Sequence, residues 1–155
     1  LPASRQPFHL GLDLPPAHGV RLVGPLVESV ESFGRRSVLE LLKVYRNEGR
    51  RLRCVGIVVG SVVDPASIAN EHIRAHAAEG RLFREVIERA ARAAGLTAIV
   101  LVDKRLGEDA SKALRKPAQQ LKADVAALGR GIPGPWRSEQ KAAALGAWVA
   151  LAQAG

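Results

Sequence analysis

The chain has 155 residues, of which 47% are apolar and 25% charged, and it carries a net charge of +8 at pH 7. A chain of this length can bury about 70% of its unfolded surface in one domain without disulfides or metals. No apolar run reaches the roughly 20 residues that span a bilayer, and no basic-then-apolar leader is recognisable, so we expect no membrane partner. Cys54 is the only cysteine, which excludes an internal disulfide and favours a cytoplasmic location.

The positive charge is the main indication of a partner. It attracts polyanions, and contacts with phosphates supply most of the non-specific affinity of proteins for nucleic acid. The high content of Ala, Gly and Arg offers a second explanation, because GC-rich coding favours Arg without selection for binding. Nucleic acid is the partner that the charge favours.

The first third of the chain is predicted to begin the sheet. The two prolines in residues 1–7 predict a flexible lead, and a single domain is expected over 8–155. The apolar segment 8–14 is predicted to be a strand. A turn at His18-Gly19 is predicted to reverse the chain, so that residues 20–23 form a second, antiparallel strand. Residues 26–31 alternate in part and could form a third strand.

The rest of the chain alternates helices with buried strands. A helix is predicted over 37–48, where apolar residues recur at i, i+3, i+4 and i+7, with Gly49 as its stop signal. Two runs that are apolar on both faces predict central parallel strands. The strands are expected over 53–60 and 97–102, and further helices over 67–94, 108–128 and 141–152, the last with Ser138 as its N-cap. Gly80 is expected to break or kink the first of these helices, and a kink or junction is expected near Pro117 in the second.

This order of elements predicts an α/β fold with an RNase H-like mixed sheet. The sheet would begin with an antiparallel hairpin, continue with parallel strands, and be flanked by helices. A doubly wound sheet would require helices between the first strands, where the chain has no room for them. A small flavodoxin-like domain is the alternative.

Four short motifs, in this order, resemble the YqgF/RuvX family of Holliday-junction-resolvase-like proteins linked to the processing of small-subunit ribosomal RNA precursors. The segment Leu10-Gly-Leu-Asp13 resembles the family's opening strand, "lgLDvG". The others are Val58-Val59-Gly60, which resembles "iVVGlP"; Asp103-Lys104-Arg105-Leu106, which resembles "DERl"; and Glu139-x-x-Ala142-Ala143, which resembles "DxxAA".

The resemblance implies a metal-dependent endonuclease acting on structured nucleic acid, either an RNA precursor or branched DNA. Asp13, Asp103 and Glu139 would be the catalytic carboxylates, with Asp13 and Glu139 holding Mg²⁺ or Mn²⁺. A homodimer is a further expectation. Contacts with the nucleic acid are expected from Lys104, Arg105 and Arg137.

Two departures from the family pattern favour a different function. Lys104 replaces the glutamate of "DER", and Glu139 replaces an aspartate. If that glutamate faces the metal, strand alternation directs Lys104 to the site and Asp103 to the opposite face. The alternative hypothesis is a catalytically impaired RNase H-like protein that binds nucleic acid or acts as a scaffold.

Each candidate carboxylate also has a structural interpretation. Phosphodiester cleavage with two metal ions requires several carboxylates to converge. Asp13 could instead cap the turn before Pro15, and Glu139 is favoured in the first turn of a helix by the macrodipole. Asp64, just past a central strand, is an outside candidate.

Two other features are ambiguous. His72 and His76 have i, i+4 spacing with Glu79 three residues further on, which is typical of metal ligands on a helix. No second cluster is evident in the sequence, and a solvated helix face is the alternative. Trp136 could stack on a base beside Arg137, or pack as a hydrophobic staple.

Overall fold

The computed structural model describes residues 2–12 and 14–154 of the chain. The protein is mixed α/β, and its residues form two compact units. Unit 1 comprises Leu1–Arg50 and Val62–Ala94, and unit 2 comprises Arg51–Ser61 and Gly95–Gly155. The chain passes from unit 1 to unit 2, returns to unit 1, and ends in unit 2; the single domain expected over 8–155 stays a prediction.

Unit 1 contains helices and no strand among its described residues. Its core lies between two long helices, where Val30 packs with Leu82 and Val86, and Phe8 and Val27 cover this cluster. Single 3₁₀ turns lie at Pro2–Arg5 and Pro65–Ser67, and the α-helices are α1 (His9–Leu12), α2 (Pro16–Asn47) and α3 (Glu71–Ala93).

Glycine allows α2 and α3 to approach closely at one point. A Cβ atom built on Gly34 would lie 2.7 Å from Cγ1 of Val86, a distance at which one of the two side chains would have to move. Gly34 therefore lets Val86 of α3 pack directly against the backbone of α2.

The predicted antiparallel hairpin is wrong. The helices α1 and α2 occupy its positions, and among the described residues only two segments are strands. Val23, Val27 and Val30 also fit helical spacing, and two of them pack in the core of unit 1. Tertiary packing thus overrides the turn signals, and Pro25 is accommodated inside α2, where it removes one backbone hydrogen bond. The strand end expected at Asp13 lies outside the described residues.

Unit 2 contains a two-stranded parallel sheet, β1 (Cys54–Val59) and β2 (Thr97–Val102), in which Cys54 pairs with Thr97 and Val59 with Val102. The two parallel strands predicted from their apolar runs are therefore confirmed. The sheet is followed by α4 (Asp103–Leu114), α5 (Ala118–Leu128), a 3₁₀ turn at Gly129–Gly131, and α6 (Ser138–Gln153).

The core of unit 2 is formed by the sheet and its helices. Leu101 of β2 is buried with residues from all three helices, namely Leu106, Ala110, Leu121 and Val149. The segment 108–128 is divided into two helices at the junction expected near Pro117, because Arg115 adopts a left-handed conformation with φ of 52° and Pro117 precedes the first residue of α5.

The remaining predictions of local structure concern single segments. The helix α3 continues through Gly80 without a break. Residues 2–5 of the expected flexible lead form a 3₁₀ turn, and Pro7 is buried. Within the described residues, no helix combines the length and the apolar character that crossing a membrane requires.

Candidate functional site

A cleft lies beside β1 and past the carboxyl end of the sheet in unit 2. Its volume is about 390 Å³. Ligands of open α/β sheets commonly bind outside the carboxyl ends of parallel strands. The cleft is lined by Gly56, Val58, Val59, Gly60, Asp103, Ser138, Glu139, Ala142 and Ala143.

Asp103 reaches the cleft because β2 passes directly into α4. The strand ends at Val102, which has extended backbone angles and is the N-cap of the helix, and Asp103 is the first helical residue. The expectation that Lys104 faces the site and Asp103 the other way is wrong, since Asp103 lines the cleft and Lys104 does not. Strand alternation cannot be extended to residues that are already helical.

Glu139 reaches the same cleft from the first turn of α6. The side-chain oxygen of Gln140 accepts a hydrogen bond from the backbone N–H of Arg137 at 3.0 Å, which defines the start of the helix. Ser138, the predicted N-cap, is instead the first helical residue and lines the cleft.

Close contact between α6 and β1 determines where this helix start lies. A Cβ atom on Gly56 would lie 2.7 Å from the carbonyl oxygen of Gly146, and one on Gly146 would lie 2.6 Å from Cγ2 of Val58. The glycine at position 56 thus lets the helix backbone rest directly on the strand, and the glycine at position 146 leaves room for the side chain of Val58. The backbone thus brings Glu139 next to the end of β1.

Of the three carboxylates expected to converge, the structure brings together two. Asp103 and Glu139 are exposed and line one cleft, while Asp13 lies outside the described residues. Oxygen donors of this kind suit Mg²⁺ or Mn²⁺, which keep several water ligands when only one or two carboxylates are supplied. Asp103 and Glu139 also lie in the first turns of α4 and α6, where the helix macrodipole alone favours a negative charge.

The positive charge of the chain is concentrated in unit 2. This unit has eleven Lys and Arg against five Asp and Glu, a net charge of +6, while unit 1 has twelve against ten, a net charge of +2. Among the described residues of unit 2, ion pairs join only Lys112 with Glu108 and Lys116 with Asp124. The residues expected to contact nucleic acid, Lys104, Arg105 and Arg137, are all exposed.

Asp64, the outside candidate, has a structural role in unit 1. Its Oδ1 atom accepts a hydrogen bond from the backbone N–H of Ala66 at 3.2 Å and caps a 3₁₀ turn. It also lies 3.6 Å from Nη1 of Arg81. The pKa of Arg81 is raised chiefly by its hydrogen bond to Glu85, with Asp64 a smaller contributor.

The side chain of Trp136 is fixed by contacts with Val125 and Gly129. Its Nε1–H donates a hydrogen bond to the carbonyl oxygen of Val125 at 2.9 Å, and its side chain lies so close to Gly129 that no side chain fits at that position. These contacts favour the packing interpretation of Trp136, which anchors the loop before α6 to α5.

A second group of polar residues, in unit 1, was predicted only in part: the sequence indicated His72, His76 and Glu79 but not His9. The ring nitrogens of His72 and His76 meet that of His9, and one ligand atom from each lies within 4.8 Å of the others. Sequence reasoning missed His9 because it was assigned to a strand. One usable signal was Glu79, a carboxylate on the apolar side of α3 that is 5% exposed and therefore requires polar partners.

Comparison with models of protein families finds no match, and searches of curated proteins and of solved structures find none either.

Proposed function

We propose that the protein is a metal-dependent endonuclease-like protein that acts on structured nucleic acid through the cleft of unit 2. The observation that carries this proposal is that Asp103 and Glu139, from distant parts of the chain, line one cleft at the carboxyl end of a parallel sheet. Both motifs that supply these residues resemble the corresponding motifs of the YqgF/RuvX family.

The two carboxylates would hold Mg²⁺ or Mn²⁺ through oxygen atoms. Such an ion supplies Lewis-acid activation of the phosphodiester and of the attacking water. Asp103 and Glu139 are exposed to solvent, so a phosphate group can approach them without a rearrangement of the core.

The basic residues of unit 2 would hold the nucleic acid. Lys104 and Arg105 directly follow Asp103, and Arg137 lies two residues before Glu139, so each carboxylate has exposed cations next to it in the chain. Contacts between cations and phosphates position a nucleic acid without reading its sequence. Substrate shape would then determine the choice between a ribosomal RNA precursor and a Holliday junction.

The finer fold assignment is part of this proposal. Two parallel strands followed by helices correspond to the parallel half of an RNase H-like sheet, and the motifs at the ends of β1 and β2 and at the start of α6 are in the family's order. The helical residues 16–47 have no counterpart in that sheet.

A second candidate function is a catalytically impaired protein that binds nucleic acid or acts as a scaffold. It is favoured by two observations: among the described residues, only two carboxylates line the cleft, and Lys104 stands where the family has its glutamate. Two metal ions usually need more carboxylates than this.

The test is a cleavage assay on a four-way DNA junction, a structured RNA with a single-stranded extension, and linear duplex DNA. We expect cleavage of at least one branched or structured substrate with Mg²⁺ or Mn²⁺ and none with EDTA. Asp103→Asn and Glu139→Gln should each reduce cleavage to the level without metal. Glu108→Gln, an exposed carboxylate on α4 that does not line the cleft, is the matched control and should retain it.

Two results would change the proposal. Cleavage that persists in both Asp103→Asn and Glu139→Gln would contradict the assignment of the cleft. Binding of the junction or RNA without cleavage by the wild type would favour the impaired protein, and Lys104→Glu is not expected to create activity, because residue 104 does not line the cleft.

A further inference from the structure

We propose that His9, His72 and His76 of unit 1 form a binding site for a transition-metal ion of the Zn²⁺ type, with Glu79 as the residue that orients His9. This site lies in a different unit from the cleft. It takes a different class of metal, and it does not depend on the proposed nuclease function.

Three members of the site are placed by a single helix. His72, His76 and Glu79 lie at i, i+4 and i+7 on α3, so their side chains share one face of the helix. Nδ1 of His76 lies 3.8 Å from Oε2 of Glu79, and the ring centres of the two histidines are 4.7 Å apart. The helix is rigid and continuous here, which fixes two imidazoles side by side.

The fourth member is supplied by α1. Nδ1 of His9 lies 2.9 Å and 3.0 Å from the two carboxylate oxygens of Glu79, and the backbone N–H of His9 donates to Oε1 of the same residue at 3.3 Å. The imidazole of His9 is thereby held with its ring centre 4.6 Å from that of His72 and 4.0 Å from that of His76. Glu79 thus clamps His9 against the other two rings.

These hydrogen bonds determine which nitrogen of His9 is available. An ionised carboxylate can only accept hydrogen bonds, so Nδ1 of His9 is the donor in its hydrogen bonds to Glu79, and the tautomer of His9 that makes them carries its lone pair on Nε2. A histidine that donates one ring N–H to a carboxylate and presents the other nitrogen is the arrangement that metal-binding proteins use to orient a ligand.

An independent observation indicates that a ligand is expected at Nε2 of His9. This atom is buried and has no hydrogen-bond partner among the described residues. A buried polar atom without a partner costs about 1–3 kcal/mol, and a metal ion bound there would remove the cost. The His9 side chain is 14% exposed and that of Glu79 is 6% exposed.

The ligand set selects the class of metal. Three imidazole nitrogens suit Zn²⁺, Cu²⁺, Ni²⁺ or Fe²⁺ and are unsuited to Mg²⁺. With Zn–N distances of about 2.0–2.1 Å, nitrogens around a tetrahedral ion lie roughly 3.3 Å apart. One ligand atom from each histidine lies within 4.8 Å of the others, so the three imidazoles need to draw together only slightly to hold the ion. His72 and His76 are exposed, so a fourth position is open to water.

The experiment is a titration of the full chain with ZnCl₂ by calorimetry, together with Co²⁺ absorption spectroscopy. We expect one Zn²⁺ per chain and the intense visible bands of tetrahedral Co²⁺, with no displacement by excess Mg²⁺. The exposed ligands His72 and His76 can be replaced with little risk to the fold. His72→Ala and His76→Ala should each lower the affinity at least about 100-fold, and Glu79→Gln about 10–100-fold.

The chain offers a matched control, because its fourth histidine, His18, lies on α2 outside the cluster and is exposed. His18→Ala, Cys54→Ser and Asp103→Asn should leave Zn²⁺ binding unchanged. The proposal is overturned if the wild type binds no Zn²⁺ that His72→Ala weakens, if His18→Ala or Cys54→Ser reduces the affinity as much as His72→Ala does, or if Mg²⁺ displaces the ion. Loss of binding in Asp103→Asn would also overturn it, since the ion would then belong to the cleft.

Discussion

Gly146 of α6 lies against Gly56 of β1 so closely that a Cβ atom on Gly56 would be 2.7 Å from the Gly146 carbonyl oxygen. This contact joins the fold of unit 2 to its cleft, because it determines how near the start of α6, and with it Glu139, lies to the end of β1. The two glycines are therefore part of the candidate site although neither carries a functional group.

Gly146→Ala is expected to destabilise the protein by about 1–3 kcal/mol, since the new methyl group would overlap Cγ2 of Val58 and force α6 away from the sheet. Unfolding in urea measures the change. Gly107→Ala is the matched control, because Gly107 is also helical in unit 2 and has no atom within 4 Å of its Cβ position. Gly107→Ala should leave the free energy of unfolding unchanged or raise it by up to about 1 kcal/mol. Equal losses of stability in the two variants would refute the close contact.

A pH dependence is expected from α4, the helix that begins at Asp103. The pKa of Glu108 is lowered, first by its hydrogen bond to Lys112 and then by the charge of Lys112. The pair therefore contributes stability above the ordinary glutamate pKa of 4.5, and this contribution is lost as the pH falls through the lower pKa of the folded state.

Glu108→Gln should accordingly be slightly less stable than the wild type near neutral pH, and the two should become equally stable in acid. Thermal unfolding over a series of pH values makes the comparison. A difference that stays constant, or grows, in acid would show that the effect of the substitution is unrelated to the ion pair.

Part of the fold could be predicted from the sequence, because local pattern and final environment agree there. The runs 54–59 and 97–102 are apolar on both faces, and covered parallel strands are the structures that bury both faces. In the segment 16–35, Pro15-Pro16, His18-Gly19 and Gly24-Pro25 indicated breaks, but Val27 and Val30 gain more from packing on α3 than the helix loses at Pro25.

The candidate sites, like the fold, could be predicted only in part from the sequence. The motifs containing Asp103 and Glu139 were recognisable, and the two residues line one cleft. The orientation of Lys104 was wrong because the boundary between β2 and α4 falls just before it. The role of His9 could not be read from the sequence, since it depends on a contact between α1 and α3 that no local pattern encodes.

Binding of nucleic acid is expected to depend strongly on salt. Structured RNA or a DNA junction should be retained at about 50 mM salt and released steeply by about 200 mM, because phosphate contacts release counterions. Lys104→Ala, Arg105→Ala and Arg137→Ala should each reduce the slope of log K against log salt by about 1. Arg92→Ala, an exposed cation of unit 1 paired with Glu88, is the control; binding that is indifferent to salt would remove nucleic acid as the partner.

The central claim is that Asp103 and Glu139 hold one divalent ion between them, and paramagnetic broadening of amide NMR signals by Mn²⁺ tests it most directly. The measurement is made in the His72→Ala variant, so that the histidine cluster does not compete for the ion. We predict that substoichiometric Mn²⁺ selectively broadens the signals of Gly60, Asp103 and residues 138–143, and that Asp103→Asn or Glu139→Gln removes this effect. Broadening that spares these residues, or that persists in both carboxylate variants, would contradict the account.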